Sequence, residues 1–168
     1  MKILATLIER SKTSKKHLWL LNRLMSHIVP FNRPHGFRVI KVTDDSVQTS
    51  APYHKKNFNH VKGIHACALA TVGELSAGLA LMSHFSPLEY RIIMSNITID
   101  YHYQAKKNIT ATAHFDSNKK NMVLESIKTL GKTSETVVTE LTDTDNQSIA
   151  TVKTTWQIKP WKDVRTKV

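Results

Sequence analysis

The stretch that decides the fold is NHVKGIHACALATVGE, residues 59–74, which passes from a polar loop into a nearly continuous apolar segment. The apolar run continues as LSAGLALMSH to residue 84, with small side chains throughout. A helix that is apolar on almost every side must be wrapped by other structure, because a surface helix keeps a polar face. We therefore predict a central buried helix over residues 65–84, in which the one carboxylate, Glu74, lies in apolar surroundings.

The segments around this helix have strand and turn patterns. Before it, GFRVIKV (36–42) and SVQTSAP (46–52) flank the turn residues 43–45, as in a hairpin. After it, the apolar residues Ile97, Ile99, Tyr101 and Tyr103 alternate with polar ones, which is typical of a half-buried strand. Four further strands are predicted at ITATAHF (109–115), MVLESIKTL (122–130), ETVVTELT (135–142) and SIATVKTTWQI (148–158). Their short connections predict an antiparallel sheet and an α+β fold.

An amphipathic helix is predicted over SKKHLWLLNRLMSHIV, residues 14–29, with Ser14 as its cap and Pro30 as its stop. Packing of its apolar face against the domain is the interpretation we favour. The nearby Lys15, Lys16 and Trp19 leave open a peripheral contact with a membrane surface. The preceding run ILATLI is too short for a signal-peptide core or a bilayer span.

Length and composition predict a single domain over residues 1–168, with a helical extension at 1–31 and a core at 36–159. The single cysteine, Cys67, excludes an internal disulfide, and we expect a cytoplasmic protein. The net charge is +11, and residues 1–62 carry 12 of the 24 Lys and Arg but only 3 of the 13 Asp and Glu. This bias suits nucleic acid, an anionic membrane or a phosphate-bearing ligand. Nucleic acid ranks last, because the later strands lack an aromatic and basic stacking pattern.

On these residues the chain resembles the hotdog-fold thioesterases over about residues 36–159. The resemblance is to the phenylacetate-pathway type of acyl-CoA thioesterase and to related uncharacterised thioesterase-like and DUF4442-like proteins. In that group an Asn, a Gly and a His-Gly-Gly motif precede the central helix, and an Asp or Glu follows within it. Here Asn59 lies six residues before His65, Gly63 two before it and Glu74 nine after it, which matches that spacing.

The resemblance implies a sheet wrapped around the central helix, catalytic roles for Glu74, Asn59 and His65, and an active site at a dimer interface. Ala66 and Cys67 stand where the family has two glycines. In the family the backbone N–H of the first glycine is thought to polarise the thioester carbonyl. Ala66 keeps that N–H but adds a methyl group.

The residues themselves suit this chemistry. A helix N-terminus at His65 offers unpaired N–H groups to a developing oxyanion. A lone carboxylate in an apolar helix, Glu74, is expected to have a raised pKa and to act as base or nucleophile. Nine residues place the two about half a turn out of phase and about 13 Å apart along the axis. We therefore expect a site shared between two subunits.

Each of these residues also has a structural interpretation. Glu74 could hydrogen-bond across a dimer interface, and Asn59 could be an ordinary turn residue rather than one that positions water or substrate. A capping role for His65 is favoured over a role as general base. For Cys67, a small buried side chain is favoured over a nucleophile.

The function predicted is hydrolysis of an acyl-CoA or acyl-carrier thioester, with a non-catalytic acyl-chain or lipid-binding protein as the alternative. Gly63, Ala66, Cys67, Lys55 and Lys56 are the predicted substrate-binding residues, the two lysines through phosphates of coenzyme A or of phosphopantetheine. They are equally consistent with plain solvent exposure. We expect no metal and no cofactor besides coenzyme A within the substrate, and a homodimer, alone or paired into a dimer of dimers.

Overall fold

The computed structural model describes residues 2–164. Its helices are α1 (Lys2–Ser11), α2 (Lys15–Ile28), α3 (Ala66–His84) and α4 (Ser117–Leu130). Its strands are β1 (Arg38–Val42), β2 (Ser46–Ala51), β3 (Tyr90–Tyr101), β4 (Ile109–His114), β5 (Thr133–Asp143) and β6 (Ser148–Pro160). Short 3-10 helices lie at Pro30–His35, Lys55–Asn57 and Trp161–Asp163.

The six strands form one sheet in the order β1-β2-β4-β5-β6-β3, and every neighbouring pair is antiparallel. β1 and β3 are therefore the two edges. The central helix α3 packs across β2, β4, β5 and β6. This is the predicted α+β hotdog fold, a sheet wrapped around one apolar helix.

Small residues let α3 approach the sheet closely. A Cβ atom added at Gly73 would lie 2.7 Å from Val152 Cγ2, so only glycine fits there. Buried hydroxyl groups also fix this sheet-facing side of the helix, where the Thr49 and Ser76 hydroxyls lie 2.7 Å apart. The Ser76 hydroxyl also donates to Ala111 O at 3.1 Å. By length and apolarity alone α3 could cross a bilayer, but 61% of its most apolar window is buried inside the domain.

The predicted N-terminal helix is present as α2, and Ser14 is its cap. The Ser14 hydroxyl accepts a hydrogen bond from His17 N at 3.4 Å, and the helix ends before Pro30. Asn22 ties α2 to β1, because its amide oxygen accepts from Val39 N at 2.8 Å and its amide nitrogen donates to Val39 O at 2.9 Å.

A further helix, α1, precedes it within the predicted helical extension at 1–31, for which the sequence analysis predicts only the one helix at 14–29. It buries Leu4 and Ile8 in the same core as Leu21 of α2. The contacts that stabilise this ten-residue helix come from α2 and α3, so its own sequence carries a weak signal.

The prediction of a strand at residues 122–130 is wrong, since Ser117–Leu130 forms the helix α4. The Asp116 carboxylate caps this helix by accepting from Lys119 N at 2.9 Å, and Gly131 ends it with φ +69°. Val123 and Ile127, four residues apart, are its buried side chains. That spacing has the helical period rather than the period of two expected for a strand.

The strand predicted around residues 97–103 is present, but it is longer and differently exposed. β3 begins at Tyr90, and Ile97 is 36% and Tyr101 50% exposed within one chain, against the predicted buried face. Tyr103 lies beyond the strand and is exposed as well. β3 is an edge strand. One of its edges pairs with β6, and the other has no strand beside it among the described residues.

Candidate active site

The N-terminus of α3 is the centre of the candidate site. His65 caps it with its ring, whose Nδ1 accepts from Cys67 N at 3.1 Å. Nδ1 must therefore be unprotonated, and neutral His65 carries its proton on Nε2. In that form the ring can donate a hydrogen bond to a ligand but cannot take a proton at Nδ1. The favoured capping role of His65 agrees with this contact.

The backbone at this helix end leaves one donor free. Ala68 N donates to His65 O at 2.9 Å, and Cys67 N is taken by the His65 ring. Within residues 2–164 no acceptor takes the N–H of Ala66. The N–H that the sequence singles out for a carbonyl oxygen is therefore available, at the positive end of the helix dipole.

Asn59 and Gly63 close the loop that leads to this helix. The Asn59 amide oxygen accepts from Val61 N at 3.1 Å and from Gly63 N at 2.9 Å, and Asn59 N donates to Gly63 O at 2.8 Å. Lys62 takes a positive φ of 58° within the same turn. Asn59 is thus a turn residue whose oxygen is fully used, and only its NH₂ group remains to act on a ligand.

One residue that the sequence analysis missed, Asn57, holds this loop in place. Asn57 is 1% exposed, and its amide nitrogen donates to His35 O at 3.0 Å and to Pro52 O at 2.8 Å. Its amide oxygen accepts from His35 Nδ1 at 3.0 Å, and its backbone oxygen accepts from His65 N at 2.7 Å. Asn57 therefore joins three segments at the start of α3, and nothing in the local sequence separates it from the neighbouring Asn59.

A cavity of about 170 Å³ opens beside the helix start. Aromatic side chains from three separate segments form its apolar wall, namely Phe31, Phe37 and Phe58. The helix contributes Cys67 and Thr71, and His65 lies at the rim. An apolar recess next to a free backbone N–H suits an ester or thioester whose acyl part is apolar.

Cys67 is exposed in the single chain, so the expectation of a buried side chain is wrong. Cys67 lies on the side of α3 that borders the cavity, whereas Ala68 and Leu69 of the same turn are buried against the sheet. Tyr101 of β3 reaches the same turn, and its hydroxyl donates to Ala66 O at 3.2 Å. Burial raises the pKa of the Tyr101 hydroxyl, and the nearby Cys67 adds to the shift. Tyr101 is a second site residue that the sequence analysis did not identify.

Glu74 lies further along α3 and outside this cavity. Burial raises the pKa of its carboxyl group, and within residues 2–164 the carboxylate has neither a hydrogen bond nor an ion pair. Its Oε1 would lie 3.8 Å from a Cβ added at Gly78. This is the desolvated, unpartnered carboxylate that the sequence predicts.

Glu74 lies on the same side of α3 as residues of the first helical turns, whereas the prediction compared it with His65 and put the two half a turn out of phase. His65 precedes the first helical residue, whereas Cys67 and Thr71 lie within the helix, seven and three residues before Glu74. At about 100° per residue, these three side chains share one side of α3. Cys67 and Glu74 are then separated mainly by about 10 Å of axial rise, so distance rather than phase keeps the two parts of the site apart in one chain.

The predicted phosphate contacts, Lys55 and Lys56, lie on an exposed 3-10 helix close to the cavity. With Arg33 and His54 they line a shallow basin of about 420 Å³, and no acidic residue lines it. Lys56 also lines the apolar cavity, so the basin and the cavity adjoin. Within residues 2–164, no three His, Cys, Asp or Glu side chains come together in a way that could hold a metal ion.

Comparison with known proteins gives the family. A family model described as a domain of unknown function, DUF4442, matches residues 17–158. No curated protein matches the sequence.

Solved structures share the fold at low sequence identity. A Pseudomonas aeruginosa protein described as a probable thioesterase is 23% identical, with a TM-score of 0.78 over 84% of this chain and 94% of that one. A Haemophilus influenzae thioesterase is 14% identical, with a TM-score of 0.72 over 93% and 98% of the two chains. A Staphylococcus aureus thioesterase is 18% identical, with a TM-score of 0.65 over 78% and 99%. At such identities the likeness establishes the hotdog fold. The match to residues 17–158 shows that the chain belongs to the DUF4442 family.

Proposed function

We propose that the protein hydrolyses acyl thioesters, of coenzyme A or of an acyl carrier, at a site shared between two subunits. The observation that carries this proposal is the half-buried carboxylate of Glu74, which has no partner within residues 2–164 and lies in an apolar helix whose N-terminus borders an apolar cavity. Neighbouring folds described as thioesterases support the same chemistry.

The reaction uses the groups at the helix start and the carboxylate in sequence. The thioester carbonyl oxygen accepts a hydrogen bond from Ala66 N, which stabilises the negative charge that develops on it. Glu74 of the partner subunit takes a proton from water as the water oxygen attacks the carbonyl carbon. The tetrahedral intermediate then loses the C–S bond, and the leaving thiolate takes up the proton. The products are a carboxylic acid and a thiol.

A homodimer through β3 would bring these groups together. The free edge of β3 exposes Ile93, Met94, Ile97 and Tyr101, an unusual amount of apolar surface for an edge strand. Two such edges related by a two-fold axis would continue one sheet into the other, with the two α3 helices side by side. The first turn of one helix would then approach Glu74 of the other. The position of Tyr101, in β3 and hydrogen-bonded to Ala66, supports this because it joins the edge strand to the site.

Charge supports a phosphate-bearing thiol as the leaving group. Lys55, Lys56 and Arg33 form a cationic basin next to the cavity, so phosphates of coenzyme A or of phosphopantetheine would meet them while the thioester reaches Ala66.

The test is a panel of short, long and aryl thioesters assayed with the wild type and with Glu74→Gln. We expect the substitution to lower kcat by about 100-fold or more, as for loss of a general base. Glu135→Gln is the matched control, since Glu135 is another carboxyl group whose pKa is raised by burial but it lies near Lys119 of α4. Undiminished hydrolysis by Glu74→Gln would overturn the mechanism.

The second candidate is binding of an acyl thioester without hydrolysis. The observation that favours it is the Ala66 methyl group and the exposed Cys67 thiol at the turn where related proteins have glycines. Binding of acyl-CoA in calorimetry, with no turnover of any thioester by the wild type, would support this candidate against hydrolysis.

A further inference from the structure

The segment between Glu9 and Asp44 has an extreme charge bias. Residues 10–43 contain eight Lys and Arg and not one Asp or Glu. The segment comprises α2, β1 and the 3-10 helix between them. None of these cations is needed for the hydrolysis proposed above except Arg33, so the bias has no explanation in that reaction.

One face of α2 concentrates this charge around an exposed tryptophan. Lys15, Trp19, Arg23 and His27 follow at intervals of four, which places them on one side of the helix, and all four are exposed. Trp19 is 60% exposed, and the Arg23 guanidinium carbon lies 5.8 Å from the centre of its ring. An amphipathic aromatic ring within a basic face is typical of side chains at a membrane interface.

Beside this face a cavity of about 390 Å³ lies between α2 and β1. Its apolar part is formed by Met25, Phe37 and Leu75, the last from the central helix. Three arginines, Arg23, Arg33 and Arg38, surround it, and no acidic residue lines it.

The cavity wall also contains an unsatisfied polar group. Asn32 is 7% exposed, and its amide oxygen has no hydrogen-bond partner within residues 2–164. A buried amide oxygen without a donor is costly, and a phosphate cannot satisfy it, so this position favours a ligand that carries a hydroxyl group beside its phosphate, as a glycerol headgroup does.

We propose that the basic face of α2 docks on an anionic lipid bilayer, with the phosphate headgroup of one lipid entering the cavity between α2 and β1. The arginines bind the phosphate oxygens, and the apolar wall takes the glycerol and the first methylenes of the acyl chains. Trp19 enters the interface beside the cations of this face. This inference does not depend on the proposed hydrolysis.

Two features favour a bilayer over nucleic acid or a second subunit. Nucleic acid would use the cations but has no use for a cavity with an apolar wall. Helix α2 packs on β1, the sheet edge opposite β3, so the proposed dimer leaves its basic face free.

The test is co-sedimentation with vesicles of phosphatidylcholine alone and of phosphatidylcholine mixed with phosphatidylglycerol. We expect binding only to the anionic vesicles, weakening as salt is added. The triple variant R23Q/R33Q/R38Q should lose at least about tenfold in partition coefficient, since each basic residue near the surface contributes separately. Trp19→Ala should weaken binding without any change in charge.

The matched control is K106Q/K128Q/K132Q, which removes three exposed lysines from other parts of the surface. It has the same net charge as the arginine variant, and we expect it to keep the wild-type affinity for anionic vesicles. Thermal melts of all variants establish that they fold. Equal losses in the control and the arginine variant would overturn the proposal in favour of plain net charge. So would tight binding of inorganic phosphate or of an RNA oligonucleotide to the same arginines with no binding to vesicles.

Discussion

At the scale of single residues, Glu74 is the feature that folding alone does not explain. A carboxylate that is largely removed from water and has no partner destabilises the folded chain, because desolvation disfavours its charged form. Groups with this property are often kept for their chemistry.

This gives a prediction for the pH dependence of stability. The folded-state pKa of Glu74 is raised, so its contribution to stability is full below the unfolded-state pKa and is lost as pH rises through the folded-state pKa. Glu74→Gln should therefore have a higher Tm than the wild type at pH 7, and the gain should disappear as pH falls below the ordinary range for glutamate. Melting curves from pH 3 to pH 8 measure it. A gain in Tm that does not depend on pH, or a lower Tm at pH 7, would contradict a raised pKa of Glu74 in the folded chain.

At the scale of elements, the close approach of α3 to the sheet depends on Gly73. A Cβ there would lie 2.7 Å from Val152 Cγ2 and 2.9 Å from Val152 Cβ, distances that packed atoms do not adopt.

Gly73→Ala should therefore lower the free energy of unfolding by about 1–3 kcal/mol, although alanine is the better helix former. Denaturant titration measures the loss. Val152→Ala in the same chain removes the clashing methyl groups and should recover part of it, which a double-mutant cycle quantifies. If the two substitutions are simply additive, the close contact is not the cause.

At the scale of the whole molecule, the two sheet edges differ in what they expose. β3 is a long edge strand with Ile93 and Ile97 exposed, whereas β1 is short and lies next to α2. A soluble protein seldom leaves a long apolar edge open, so this side is the one we propose to be covered by a second subunit.

Ile93→Lys should consequently convert a dimer into a monomer and abolish thioester hydrolysis, because each site would lose the partner's Glu74. Ile40→Lys makes the same change on β1, where Ile40 is 41% exposed, and should leave the protein a dimer. Light scattering coupled to gel filtration distinguishes them. A wild-type monomer with full activity would rule out the shared site.

The sequence predicted the central helix well because its signal is unusual, a run of nineteen residues with one charge. It also predicted β5 and β6, where polarity alternates clearly. It failed at α4, where short apolar runs between polar ones were taken for a strand, although the Asp116 cap and Gly131 mark a helix. α1 was missed because its stability comes from its neighbours.

The candidate site was predictable only where it is local. His65, Ala66 and Glu74 belong to one continuous stretch, so spacing identified them. Asn57 and Tyr101 act through contacts with segments up to 35 residues away, as in the bond from Tyr101 to Ala66, and no short pattern encodes such a contact. The exposure of Cys67 likewise depends on which side of α3 faces the sheet, and a helix that is apolar all round does not show this in its sequence.

The pairing of β3 with β6 has a consequence for the way the chain folds during synthesis. Paired residues are separated by 49 positions at Tyr101 and Ala150 and by 70 at Tyr90 and Pro160. Non-local pairing of this kind forms slowly. Until β6 emerges from the ribosome, β3 has no strand of its own chain to pair with. Ile93 and Ile97 are then open to other nascent chains. The strand that we propose to join two finished subunits is therefore also the one at risk of wrong pairing while each subunit is being made.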